Sequence, residues 1–333
     1  IQDVEDEIDM EDLIAEEECV FTLSHNGYIK RTPAAEYRAQ SRGGKGVRGM
    51  ATREEDYVES VFTASTHDFL LFFSSRGQVY VRKAAKGTNI VNILPLEPEE
   101  KISAMLRGKG LQEDDFIMFF TKNGVTKRMS QLELRNVRKN GIRALDIREG
   151  DELVQALTTH GSEKLLVVTR GGMAIRFDEN DVRPMGRTAA GVRAIRLKDG
   201  DEVVAAVRAT DEDAAVLTVT ENGYGKRTRI GEYSVQNRGG QGLKTYQITQ
   251  KTGEIVGAKK VTGEEDILLV SDDGTIIRME AGGISLLGRA TQGVRLMRPA
   301  EGAHVVAMAR TEREASEEET AEPGESAVEI TEE

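Results

Sequence analysis

The 333 residues hold one cysteine and four scattered histidines, His25, His67, His160 and His304, too few for a disulfide framework and at no zinc-ligand spacing. No apolar stretch reaches bilayer length and no basic-then-apolar leader stands at the start, so the sequence reads as that of a soluble, reduced, cytoplasmic protein without membrane contact. The formal charge of −12 would argue against a polyanionic partner, but residues 1–18 carry ten acids and no base and residues 311–333 carry ten acids against Arg313, which leaves +7 between them.

The acidic opening at 1–18 has no core pattern and reads as a linker from a domain upstream, the chain being part of something larger. From Cys19 to Arg310 one pattern recurs six times, in units expected at about 19–66, 67–113, 114–161, 162–211, 212–263 and 264–310. Each unit opens on an apolar strand such as Phe116-Ile-Met-Phe-Phe120 or Ile267-Leu-Leu-Val270. A two-residue turn ending in glycine follows, at Asn26-Gly27, Arg76-Gly77, Asn123-Gly124, Gly171-Gly172, Asn222-Gly223 and Asp273-Gly274. Five of these dipeptides enter positive φ cheaply, as tight hairpins demand, and Arg76 is the awkward first residue.

A second strand carrying Lys or Arg comes next, then a second glycine followed by an apolar and a basic residue: Gly46-Val47-Arg48, Gly141-Ile142-Arg143, Gly191-Val192-Arg193, Gly242-Leu243-Lys244 and Gly293-Val294-Arg295. The second unit lacks this landmark and reads Asn89-Ile90-Val91. A polar turn and another apolar run close each unit. Four short strands in a unit of about fifty residues predict an all-β fold: a propeller-like ring of six four-stranded blades, each buried only against its neighbours. Residues 311–333 read as an acidic disordered tail; the rival reading folds that tail onto the basic ring in competition with its partner.

Within the ring the bases recur at matched places. Arg31, Arg128, Arg176, Arg227 and Arg278 stand four residues after the turn glycine, with Lys30, Lys127 and Lys226 before three of them. Arg42, Arg187, Arg238 and Arg289 stand four residues ahead of the second glycine. Equivalent positions map to equivalent heights on a ring, so a circumferential belt suited to a long polyanion is expected. The sharpest local motif is Gln40-Ser41-Arg42-Gly43-Gly44-Lys45-Gly46, whose glycines let the backbone approach phosphate while Arg42 and Lys45 supply charge. A weaker copy spans Gln236-Asn-Arg-Gly-Gly-Gln-Gly242.

With these residues the chain resembles the C-terminal domain of the A subunit of bacterial DNA gyrase, over essentially its whole length. The heptapeptide at 40–46 is similar to that family's hallmark box, with Ser41 in place of its first basic residue. The resemblance implies a six-bladed β-pinwheel whose blades exchange strands, with the box joining the first and last blades. It further implies that duplex DNA wraps on the basic rim with little sequence specificity, presenting a segment for strand passage so that the parent type IIA topoisomerase introduces negative supercoils. The implied partners are the cleavage domain of the same subunit and the gyrase B subunit in an A2B2 assembly, the isolated domain being monomeric. The corresponding domain of topoisomerase IV, in which the box is typically absent or degraded, is the near alternative.

The candidate DNA-binding residues are accordingly Lys30, Arg31, Gln40, Arg42, Gly43, Gly44, Lys45, Gly46, Arg48, Arg128, Arg143, Arg187, Arg193, Arg227, Arg238, Lys244, Arg289 and Arg295. No ATP-binding loop, nucleophile elbow or Mg²⁺ carboxylate cluster is present, so no catalytic residue, metal or cofactor is assigned here, and ATP and Mg²⁺ are expected to serve other domains of the parent enzyme. A protein-interaction ring of the WD-repeat or kelch type is the competing class, against which the absence of Trp counts.

Overall fold

The computed structural model describes residues 16–24, 29–40, 43–44, 46–48, 58–83, 94–108, 114–137 and 140–313, with 47, 48, 59, 83 and 108 described by their backbone alone. The opening as far as residue 15, the turn at Gly27, Arg42, Lys45, residues 89–91 and the tail from residue 314 lie outside them. The first repeat builds β1 (Glu18–Ser24), β2 (Ile29–Pro33), β3 (Val47–Arg48) and β4 (Val58–Ser65), and the second β5 (Phe69–Ser74), β6 (Gln78–Lys83) and β7 (Ile102–Gly108). The third supplies β8 (Phe116–Thr121), β9 (Val125–Ser130), β10 (Ile142–Arg143) and β11 (Leu153–Thr159), and the fourth β12 (Lys164–Thr169), β13 (Met173–Asp178), β14 (Val192–Arg193) and β15 (Val203–Arg208). The fifth gives β16 (Ala215–Thr220), β17 (Tyr224–Arg229), β18 (Leu243–Lys244) and β19 (Ile255–Val261), and the sixth β20 (Asp266–Ser271), β21 (Thr275–Glu280), β22 (Val294–Arg295) and β23 (Val305–Thr311).

The hairpins close differently from the two-residue turn expected. The Gly124 amide donates to the Thr121 carbonyl at 3.0 Å, and Gly77, Gly172, Gly223 and Gly274 repeat the bond. Only the glycine takes positive φ, between 77° and 85° in these five turns. The loop is therefore a type I turn followed by one left-handed residue, which places no demand on the residue before the glycine and removes the difficulty at Arg76. The preceding Ser or Thr completes the turn: Thr121, Thr169 and Thr220 Oγ1 accept from the amides of Val125, Met173 and Tyr224.

Blades exchange strands. The sheets run β10-β6-β5-β7, β11-β8-β9-β14, β15-β12-β13-β18 and β19-β16-β17-β22, so each takes its outermost strand from the following repeat. The last sheet, β23-β20-β21-β3, takes it from the first, and the ring closes. The second glycine makes the exchange possible. A Cβ on Gly242 would lie 2.3 Å from the Ala174 carbonyl oxygen, and on Gly191 2.4 Å from that of Thr126, with φ of +74° and +89°. Backbone approaches backbone there as the donated strand enters.

The buried clusters bridge repeats. Leu71, Phe73 and Ala104 pack with Ile117, Phe119 and Ala156, and Phe73 meets Phe119 edge-on at 5.5 Å. At the closure Val20, Val58 and Val61 pack with Leu268, Val270 and Ile276. Each blade face is apolar on both sides because each is covered by a neighbour, which is why the first strands read as continuous hydrophobic runs. The innermost strands β4, β7, β11, β15, β19 and β23 adjoin one another around the axis, leaving the exchanged strands at the perimeter.

Candidate nucleic-acid interface

The three recurring series of bases part company in the structure. The first, four residues after the turn glycine, points between blades. Arg176 is 2% exposed; its Nε donates to the Ala209 carbonyl and its Nη1 to the Tyr233 carbonyl at 3.0 Å and to Glu212. Arg227 donates to the carbonyls of Ile284 and Gly282, both at 2.8 Å. Arg128 is buried over the Phe116 ring and donates to Asn180 Oδ1 at 2.9 Å, with Glu179 beside its Nε at 3.4 Å. Arg278 reaches Asp266 as well as the carbonyls of Ala34, Tyr37 and Glu312.

The target each time is the short 3-10 turn of the next repeat: Glu179–Asp181, Ile230–Glu232, Ala281–Gly283 or Ala34–Glu36. Each one-turn helix satisfies its first carbonyl from its own C-cap amide, and at three of the four seams the forked guanidinium also donates to carbonyls at the turn, while Arg128 meets the Asn180 side chain instead. Arg128, buried, and Arg227, half-buried, thus act as inter-repeat staples. Arg31, their first-repeat counterpart, is half-buried, and Lys30 beside it is exposed.

Lys127 and Lys226 are likewise inside. The Lys127 ammonium donates to the carbonyls of Ala144 and Arg187 at 2.7 and 2.8 Å, and that of Lys226 to the carbonyls of Gly288 and Arg289 and to Thr291 Oγ1. Burial lowers both from 10.5 to about 8.

The members of the other two series whose side chains are described lie on the perimeter. Arg143, Arg193, Lys244 and Arg295 are exposed on the exchanged strands. Arg143 pairs with Asp146 at 3.2 Å, and Arg295 lies over the Tyr224 ring, its guanidinium 4.9 Å from the centroid and bonded to the hydroxyl. Arg187, Arg238 and Arg289 sit in the crossing segments that feed those strands. Arg238 Nη1 donates to the Arg193 carbonyl and Arg289 Nη1 to the Lys244 carbonyl, both at 3.1 Å. The perimeter bases therefore stand in couplets, one from each of two successive repeats. Arg187 reaches back 3.6 Å to Glu133.

At the box, the Gln40 amide donates to the Arg278 carbonyl at 2.8 Å and the Gly43 amide to the Leu296 carbonyl at 2.7 Å, while Gly44 bridges Met297 and Gly46 turns the chain into β3, which ends at Arg48. Its described residues are laid along the sixth repeat. The Gly239 and Gly240 loop repeats this arrangement against Ala194 and Arg196. Sequence reasoning missed two exposed bases at these joints: Arg298, within 4.0 Å of the Cβ position of Gly43, and Arg196, whose amide donates to the Gly240 carbonyl. Their signal was legible, because only the fourth and sixth repeats place arginine five residues after the second glycine. Among the described residues no three His, Cys, Asp or Glu gather to hold a metal ion, and no helix is long and apolar enough to cross a membrane.

A family model described as the DNA gyrase C-terminal domain, beta-propeller, matches residues 20–65, 68–86, 115–160, 163–210, 214–262 and 265–312, one segment per blade. The chain belongs to the DNA gyrase C-terminal domain family. It is 46% identical over 325 residues to the DNA gyrase A subunit of Staphylococcus epidermidis and 47% identical over 331 residues to that of Staphylococcus aureus strain MRSA252, with 94% and 95% of this chain covered. It spans 36% and 37% of those relatives' lengths. A solved DNA gyrase A C-terminal domain superposes with a TM-score of 0.83 at 28% identity, over 89% of this chain and all of that one. The C-terminal domain of a DNA topoisomerase IV, at 24% identity and a TM-score of 0.68 over 90% of this chain and 94% of that one, shares the fold.

Proposed function

We propose that this gyrase C-terminal domain wraps duplex DNA around its perimeter with little sequence specificity and presents a neighbouring segment for strand passage, so that the parent enzyme introduces negative supercoils. The observation that carries the reading is the placement of Arg193 with Arg238 and of Lys244 with Arg289 at successive joints of the outer edge. Curving a duplex through half a turn costs on the order of 10 kcal/mol. Phosphate neutralisation with counterion release offsets that cost only if contacts accumulate along the path, which a repeated perimeter couplet provides and a single pocket does not.

In this reading the box fastens the start of the ring to its end, and Arg42 and Lys45 add their charge to the hold on the duplex. The cleavage domain of the same subunit, the B subunit of an A2B2 enzyme, ATP and Mg²⁺ supply the chemistry from outside this segment, in the cytoplasm. DNA bending by fluorescence energy transfer on end-labelled duplexes of graded length tests it. Efficiency should rise once the duplex can span the perimeter and fall with Arg42→Ala and Lys45→Ala together. Length-independent transfer would refute wrapping, and an unchanged double variant would refute the role of the box.

A further inference from the structure

The perimeter is not purely polar. Among the described residues the exposed large hydrophobic side chains are Phe69, Val235 and Leu286, and the last two occupy one equivalent position, at 44% and 43% exposure. Each sits in the crossing segment where it passes along the outer edge of the preceding blade: Val235 bridges Arg176 and Leu286 bridges Arg227 by backbone. The amides that follow, of Gln236 and Leu287, donate to the carbonyls of those arginines at 2.8 Å. Pro184 holds the same place in the fourth repeat, also exposed, bridging Arg128.

Three residues further on stand Arg187, Arg238 and Arg289. A single exposed apolar side chain needs no explanation, but its recurrence at one position of the repeat does. Here it recurs beside each perimeter arginine of three consecutive repeats. The same exposed edge thus alternates a cation with an apolar group at short spacing.

The geometry points to Val235 and Leu286 as DNA-contacting residues that lie against the apolar deoxyribose surface of the wrapped duplex, between phosphates held by the neighbouring arginines. This rests on the wrapping reading above and adds a second kind of contact to it. Duplex DNA presents both chemistries along its backbone, anionic oxygens and C–H faces of the sugars, and neither carries base identity. Charge complementarity selects DNA as the occupant, because any ligand covering Val235 or Leu286 also meets Arg238 or Arg289.

The two kinds of contact separate by salt. Phosphate contacts set the slope of log affinity against log salt, whereas apolar burial shifts affinity without releasing counterions. Titration of the chain with a linear duplex at several KCl concentrations reads both. Val235→Ser with Leu286→Ser should weaken binding about tenfold at every salt with the slope unchanged, and Leu286→Met should bind as the parent does. Unchanged affinity for the double-serine variant, or a weakening accompanied by a shallower slope, overturns the assignment. So does an equal weakening for Leu286→Met. Should the double-serine variant lose its cooperative thermal transition, Val235→Thr gives the same reading at a position whose side chain is nearly half exposed. Failure of the unsubstituted chain to bend DNA would instead overturn the wrapping reading itself.

Discussion

The ammonium of Lys127 donates to the backbone carbonyl of Arg187 at 2.8 Å, across the seam between the third and fourth repeats. One base is buried so that another can be held outside. Ile175 and Ile277 take the equivalent position in the repeats followed by the RGG-type loops at 238–240 and 42–44, so from the third repeat to the sixth lysine and isoleucine alternate there, with Tyr80 in the second. The alternation matches the loop each must seat: Lys226 fixes carbonyls of Gly288 and Arg289, while Gly240 approaches Ile175 within 3.5 Å of its Cβ position.

The buried lysines make stability depend on pH with a definite sign. Burial lowers Lys127 from 10.5 to about 8, so between those values the unfolded chain binds the proton and the folded chain does not. Stability from this group is greatest above the unfolded value and is lost as pH falls through about 8. Relative to Lys127→Met, the parent should gain on the order of 2 kcal/mol between pH 8 and 10.5 in urea unfolding. A relative decline over that window would contradict the assignment.

Arg278 joins the sixth blade to the turn of the first through the carbonyls of Ala34 and Tyr37. Arg278→Met should destabilise the fold by about 3 kcal/mol or more, since it removes the 2.8 Å bond to the fully buried Asp266 together with those to the carbonyls of Ala34 and Tyr37. Arg193→Ala, at an exposed position, should stay within about 0.5 kcal/mol. Equal costs from denaturant titration would erase the distinction between staples and perimeter.

DNA binding should follow the opposite order. Replacing Arg193, Arg238, Arg289 or Arg295 by Ala should in each case reduce the salt slope by about 0.9, the share of one neutralised phosphate. Arg176→Met, if measured below its unfolding transition, should leave the slope unchanged, because its guanidinium is buried between repeats. The readout is affinity across a KCl series.

Gly242 and Gly200 share a φ near +75° but not an environment. A Cβ on Gly242 strikes the Ala174 carbonyl at 2.3 Å, whereas nothing lies within 4 Å of that on Gly200. Gly200→Ala should cost about 1 kcal/mol of backbone strain, and Gly242→Ala several times that, with loss of amide protection on β18 as the exchanged strand is displaced. Similar melting points for the two variants would show that close approach is not what requires Gly242.

The repeat, the hairpins and the family were legible because the apolar runs and turn glycines at fixed spacing report local geometry, and the box at 40–46 is a contiguous motif. The role of each base was not legible. Arg227 and Arg238 look alike in a sequence, and both recur at constant offset from a glycine. Which one faces the perimeter follows from the exchange of the crossing segment, a pairing of residues such as Arg227 with Leu286 that lie in successive repeats.

By itself, then, the chain determined a ring of six similar hairpins with a basic middle and acidic ends, because periodicity and charge are properties of residues in order. Only the tertiary structure divided that charge into guanidinium and ammonium groups spent on the carbonyls of the next repeat and those left at the outer edge. The physical reason is burial: a carbonyl buried between repeats must be satisfied from within the protein, and the base that satisfies it there is itself withdrawn from solvent.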